Sequence, residues 1–231
     1  MTPLAPRFSR YESQGAEHPM MSFGPEGGPR LLIIPPLFEE LNRTRKLLSD
    51  LMRTLAGSDV ATHLPDLPGT GESETLLSDV SWSDWRHAVR DAAQEADATA
   101  ILAVRGGCLL DDTVQGIRHI RFSPVAGKRL IRDLIRARSL TDPDFDGDAQ
   151  KSVFDEGSTN LGGYPIAADM ARAVRDAELK SADDTITIRL ESEHGDADVT
   201  IEGTPLWRRA EPSGSPELAT RLADAIADRI R

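Results

Sequence analysis

Two short runs of this 231-residue chain, Arg30–Ile34 and Thr99–Val104, are apolar at almost every position and are soon cut off by turn residues, Pro35-Pro36 and Gly106-Gly107. A strand with one wet face alternates polar and apolar residues. A run apolar throughout needs cover on both faces, the situation of a central strand in a parallel sheet. Amphipathic stretches with helical spacing lie between these runs. Leu41, Leu47, Leu48, Leu51, Met52 and Leu55 form one stripe, opened by Glu39 and Glu40 where the helix dipole favours acids and closed by Gly57. Trp82, Trp85, Val89 and Ala92 form another, with Ser81 or Ser83 as its cap. With a second strand at Asp59–Leu64 between the two stripes, the pattern predicts βαβ units and a doubly wound, mostly parallel sheet with helices on both faces.

The remaining elements follow from the same periods. Residues 1–14 have none, and read as a flexible N-terminal tail or a loosely docked first strand; residues 15–231 read as a single domain, a length one core can fill. Ile117–Phe122 is a candidate fourth strand. Gly127–Leu140 is a helix whose basic run, Lys128–Arg138, interleaves Leu130, Ile131, Leu134 and Ile135. A solvated basic face is the plain reading there, and an anion site the alternative. Residues 141–164 are rich in Asp, Gly and Ser and read as a reduced lid or a mobile surface loop, followed by a helix over Tyr164–Leu179. Thr185–Leu190 and Ala197–Gly203 alternate like strands, but the ESEHGD segment between them is too short for a usual parallel crossover. They are expected to form an antiparallel hairpin at the sheet edge, before a closing helix over Pro216–Arg231.

Composition narrows the function classes. A net charge of -11 repels phosphate backbones and anionic lipid heads, so neither nucleic acid nor a membrane surface is an expected partner. One cysteine, Cys108, allows no intrachain disulfide and fits a reducing compartment. No apolar stretch approaches the ~20 residues needed to span a bilayer, and the first residues lack a signal-peptide core. A cytoplasmic protein is expected, with no cofactor and no metal site, since no ligand cluster has suitable spacing. Oligomeric state is not encoded in any visible pattern.

The chemistry concentrates after the third apolar run. A nucleophile displayed on a strained turn after a strand needs small residues two before and two after it. Ala103-Val104-Arg105-Gly106-Gly107 has that spacing, with Arg105 in the central slot. A guanidinium remains protonated, so it can bind or stabilise an anion but cannot attack a carbonyl or act as a base. An ordinary strand-to-helix turn with an exposed arginine fits the same spacing. A triad also needs a histidine after the last strand, where Trp207 stands instead. His18, His63, His87 and His119 read as structural or tail residues, and His194 as a solvated turn residue beside Glu193 and Asp196. Cys108 falls on the first turn of a helix after the elbow, where a dipole would lower its pKa, although a packing role is the plainer reading. Asp111 and Asp112 read as dipole partners on that helix.

Several segments, in order, resemble a family of α/β-hydrolase-like proteins, the exosortase A system-associated hydrolase 2 group. PPLFEELNRTRK (Pro35–Lys46) is similar to that group's Pro-Pro-Phe-x-Glu-Glu-x-Asn junction, and LPDLPGTGES to its Leu-Pro-Asp-Leu-Pro-Gly-x-Gly-x-Ser turn. AVRGG is similar to its elbow, where arginine also tends to occupy the nucleophile slot. PVAGKRLIRDLIRAR, GYPIAADMARAV and EGTPLWRRAE resemble three later motifs, so the likeness runs from about residue 30 to 211. It implies an α/β-hydrolase-like sheet with a reduced lid and, because EHGD replaces a crossover helix, a trimmed C-terminal edge.

The resemblance further implies a binding or accessory protein near exopolysaccharide production and PEP-CTERM sorting, without serine-hydrolase catalysis. An esterase, thioesterase or acyl transferase with an atypical nucleophile, using backbone N–H groups near Leu37 and Gly106 as an oxyanion hole, is the competing reading. Since ligands of open α/β sheets bind at the carboxyl ends of the strands, the candidate pocket comprises Pro36, Leu37, Phe38, Glu39, Glu40, Asn42, Asp66 and Trp207, around Arg105, Gly106 and Gly107. A buried Arg105 needs a carboxylate from Glu39, Glu40 or Asp66. That pair would either plug the pocket or aim the guanidinium at a small anionic or acyl ligand.

Overall fold

The computed structural model describes residues 5–181, 184–209 and 211–230. Its centre is an eight-stranded sheet. The chain opens with β1 (Arg7–Ser13) and β2 (Ala16–Phe23), an antiparallel hairpin paired from Arg7↔Ser22 to Ser13↔Ala16. Residues 7–13 are therefore an integral edge strand rather than a flexible tail; Met1–Leu4 of the expected tail lie outside the described residues. The two-residue turn Gln14-Gly15 places both residues at positive φ, the geometry that matches strand twist. The hairpin is missing from the sequence reading because β1, RFSRYES, is mostly solvent-facing and carries no apolar period.

From β2 the sheet continues through β3 (Arg30–Ile34), β4 (Ala61–Pro65), β5 (Ala100–Val104), β6 (Arg118–Phe122), β9 (Thr185–Leu190) and β10 (Val199–Ile201), in the spatial order β1-β2-β4-β3-β5-β6-β9-β10. All neighbours from β4 onward are parallel. The all-apolar strands sit at its centre for the anticipated reason. Leu31 and Ile33 of β3, with Leu102 of β5, enter one core layer under α1 (Glu39–Ala56) and the closing α6 (Pro216–Ile230). Leu32 and Ile34, with Ile101, enter the opposite layer under α2 (Trp82–Glu95), α3 (Gly127–Ser139) and α5 (Ala168–Asp176). Helix α2 opens on a capping box, Ser81 with Asp84. Arg231, the last residue of the expected closing helix, lies outside the described residues.

Three expectations change. β9 and β10 pair parallel, Val199↔Ile188 to Ile201↔Leu190, and not as an antiparallel hairpin. β10 has only three residues, so the chain must regain only about 10 Å. Residues 191–198 do this as a loop, without a crossover helix. The Asp198 carboxylate accepts from the Thr187 N–H at 2.7 Å and fixes the register. Second, no α-helix follows β5. Two 3-10 turns, Arg105–Leu109 and Asp111–Thr113, make the crossover instead, because Gly106-Gly107 lowers helix propensity and Asp111 turns inward. Third, residues 141–164 are folded. They contain α4 (Gly147–Ser152), capped by Asp146, and the first strand of a hairpin of β7 (Ser158–Leu161) with β8 (Tyr164–Ala167), anchored by buried Phe145, Val153 and Leu161. The start of the helix expected at Tyr164 is accordingly strand β8.

Candidate active site

The carboxyl ends of β3, β5 and β6 lie side by side, and each is followed by a non-glycine residue in a left-handed conformation: Phe38 (φ 55°), Arg105 (φ 54°) and Ser123 (φ 50°). Such backbones cost of order 1–3 kcal/mol each and cluster at ligand clamps and active sites. At the middle position a tight turn closes because Gly107 lies against β3: a Cβ there would stand 2.5 Å from the Pro35 carbonyl oxygen and 2.6 Å from that of Ile34. The elbow read from spacing is thus an elbow in space, and Arg105 occupies its tip.

Arg105 is 5% exposed and fully engaged. Its Nε donates to Glu40 Oε2 at 3.1 Å and its Nη2 to Glu40 Oε1 at 2.8 Å, a two-pronged pair across the start of α1. Nη1 donates to the Ser123 carbonyl at 2.8 Å and stands 3.7 Å from Glu193 Oε1. The Ser123 hydroxyl is bonded to the other Glu193 oxygen. The guanidinium carbon sits 4.5 Å from the centre of the Trp207 ring, which packs edge-on against Phe122. Glu193 follows β9 and Trp207 follows β10, the places from which this topology supplies a triad's acid and histidine, in the chain order nucleophile, acid, histidine. All three positions are filled, but as arginine, glutamate and tryptophan, with the arginine touching the other two.

The remaining predicted residues divide. Leu37, Phe38, Glu39, Glu40, Arg105 and Trp207 line a cleft of about 470 Å³ between α1 and α3. Glu39 pairs with Arg43 rather than Arg105. Asn42 is outside the cleft wall and donates to the Tyr164 hydroxyl at 3.0 Å; that ring packs edge-on against Phe38. Asp66 does not reach Arg105: its carboxylate accepts from the Glu72 N–H at 2.9 Å and organises the turn after β4, with burial pushing its pKa up against that hydrogen bond. Pro36, Gly106 and Gly107 shape the backbone beneath without lining the cleft. Of the three acids offered to Arg105, Glu40 is the partner.

Glu193 and Ser123 escaped the sequence reading. Glu193 was visible only as a neighbour of His194, and placing it at the acid position requires knowing that β9 and β10 are parallel. Arg129 and Arg136 of the basic helix border the cleft too. Other candidates are explained by packing. Cys108 is buried in a 3-10 turn with its thiol 3.2 Å from the Ala103 carbonyl, and burial pushes its pKa far up, opposite to the dipole expectation. Asp111 is no dipole partner: fully buried, it takes two hydrogen bonds from Arg121, while Asp112 takes two from Arg86. His18 is a buried β2 residue bonded to Ser73, not part of a tail. Among the described residues, no group of three or more His, Cys, Asp or Glu side chains is placed to hold a metal ion.

The sheet order, the elbow and the three filled positions decide the architecture. The chain has the α/β-hydrolase fold. Solved structures agree. It is similar to Est1E from Butyrivibrio proteoclasticus with ferulic acid bound, at 17% identity over 96% of this chain and 99% of that one, TM-score 0.65. It is similar to alpha/beta hydrolase domain-containing protein 10 from mouse, at 12% identity over 97% and 100%, TM-score 0.62. It also matches the bottromycin epimerase BotH in complex with bottromycin A2, at 14% identity over 97% and 99%, TM-score 0.54. No protein-family model and no curated protein matches the sequence. Among the described residues, no helix is long and apolar enough to cross a membrane.

Proposed function

We propose that this α/β-hydrolase-fold protein performs no serine-type acyl transfer and serves as a binding or accessory protein whose cleft takes a small anionic or acyl ligand. The observation that carries the reading is Arg105 at the elbow tip, locked by Glu40 and Glu193 and stacked on Trp207 where a histidine would stand. A fold hosts many functions, so chemistry has to be argued from the site; the neighbouring epimerase illustrates the point. Neither alternative group is set up for catalysis: Cys108 is buried with a raised pKa, and His194 is an exposed loop residue. We take this role to be cytoplasmic, on the single cysteine and the apolar pattern of the sequence, and, on the motif resemblance, to lie near exopolysaccharide production and PEP-CTERM sorting.

The test is to incubate the purified protein with short acyl esters and a fluorophosphonate probe, beside Arg105→Ala. Turnover and labelling at the level of that variant are expected. Either one well above it would sink the proposal and restore the atypical-nucleophile enzyme.

A further inference from the structure

A second cavity, of about 350 Å³, adjoins the cleft, and Arg105, Arg129 and Arg208 line both. Arg105 is consumed by its carboxylates. The other two are exposed and differently placed: Arg129 on the first turn of α3, Arg208 in the 3-10 turn after β10. Arg208 has no hydrogen-bonded or ion-paired side-chain partner among the described residues, and Arg129 has only Asp133 at 3.7 Å. Across the second cavity Arg189 binds the Asp196 and Pro124 carbonyls and, among the described residues, no carboxylate. Together the two cavities are lined by six arginines against four carboxylates, although the whole chain carries a net charge of -11. The first turn of α3 contains no acid and two cations, the reverse of what its own dipole favours. A molecule with a large acidic excess has concentrated cationic groups at one neck. Between its charged residues the cleft wall offers an apolar stretch of Leu37, Leu130, Leu134, Leu140 and Trp207.

We infer that this neck seats a phosphate-type oxyanion carried on an apolar body, with Arg129 and Arg208 holding the head group and the cleft between α1 and α3 taking the body. The inference rests on the binding reading above and specifies its ligand class. Arginines arriving from separate elements suit a doubly charged oxyanion with three free oxygens better than a planar carboxylate, which one guanidinium can satisfy. The salt bridge beneath is the floor of this site. Glu40 and Glu193 more than offset the charge of Arg105, so the head group is held away from the floor and at the outer arginines.

The experiment titrates octyl phosphate, below its micelle concentration, into the full chain by calorimetry, with octanoate, octanol and inorganic phosphate in parallel. Octyl phosphate is expected to bind, octanol not to, and octanoate and inorganic phosphate to bind at least about tenfold more weakly. Arg129→Ala and Arg208→Ala should each weaken octyl phosphate by about tenfold or more, the size of one lost charge-assisted hydrogen bond. Arg132→Ala, on the solvent side of α3, should not. Binding unchanged in both site variants, or octanoate as tight as octyl phosphate, would overturn the oxyanion seat while leaving a non-hydrolytic cleft standing. No binding of any probe overturns the seat too. Release of inorganic phosphate or hydrolysis of an acyl ester would instead defeat the non-hydrolytic reading.

Discussion

Two arginine–carboxylate pairs hold the segment that follows β5, one through Arg105 and one through Asp111, and they differ in what surrounds them. Arg121 and Asp111 share two hydrogen bonds of 2.6 and 2.8 Å, and Arg121 also donates to the Lys180 carbonyl; Asp111 is fully buried. Arg105 and Glu40 share bonds of 3.1 and 2.8 Å, but this pair forms part of a cleft wall and has a second carboxylate within 3.7 Å. The first pair ties the shortened crossover after β5 to β6, so its value is structural. The second leaves one flank of Glu40 near solvent. Equal chemistry in the two places therefore gives a structural pin in one and the floor of a site in the other, and burial decides which.

The sharpest way to break this contrast is Asp111→Ala. It strands Arg121 in the core, and should cost about 3–5 kcal/mol of stability by denaturant titration, while octyl phosphate affinity per folded molecule stays constant. A loss below about 1 kcal/mol would remove the distinction. Glu40→Gln comes next, at about 1.5–3 kcal/mol, because Arg105 retains Glu193 and the Ser123 carbonyl and cleft water can reach the vacated flank. A cost equal to that of Asp111→Ala would mean the cleft pair is closed in as well.

Acid should find the closed region through Asp112, beside the Asp111 pair. Burial raises its pKa, but hydrogen bonds from Arg86 and then Lys180 outweigh burial and hold it below the ordinary 3.8. With the folded pKa depressed, the unfolded chain takes up the proton first. The contribution is therefore complete above pH 3.8 and is lost as pH falls through the lower folded value. Denaturant midpoints followed downward from pH 5 should decline less steeply in Asp112→Asn than in the wild type; parallel declines would remove Asp112 from the account. The smallest effect is expected for Trp207→Phe, which keeps an aromatic face under Arg105 and deletes a buried indole N–H that has no hydrogen-bond partner among the described residues. Thermal melts should shift by no more than about 1 kcal/mol equivalent. A larger loss would show that the N–H has a partner in solution.

The sequence by itself determined the parallel centre of the sheet and the helices α1, α2, α3 and α6, because each rests on a local period, and it offered the elbow as one of two readings of a fixed spacing. Strands covered on both faces read as apolar runs, and the Ala103-x-Arg105-x-Gly107 spacing is local geometry. It also narrowed the partner of Arg105 to three acids. Tertiary structure decided the rest, for reasons of long-range pairing. Only the sheet could recruit β1 and β2, whose exposed faces carry no pattern, and only the shortness of β10 made a parallel return possible through residues 191–198. That return carries Glu193 to the elbow, 88 positions from Arg105 in the chain, together with Trp207. The same folding brought Arg129 of α3 and Arg208 of a distant turn to one neck. Nothing in the spacing of either could have announced it, since charges meet there through the closure of the sheet and not through any helical or strand period.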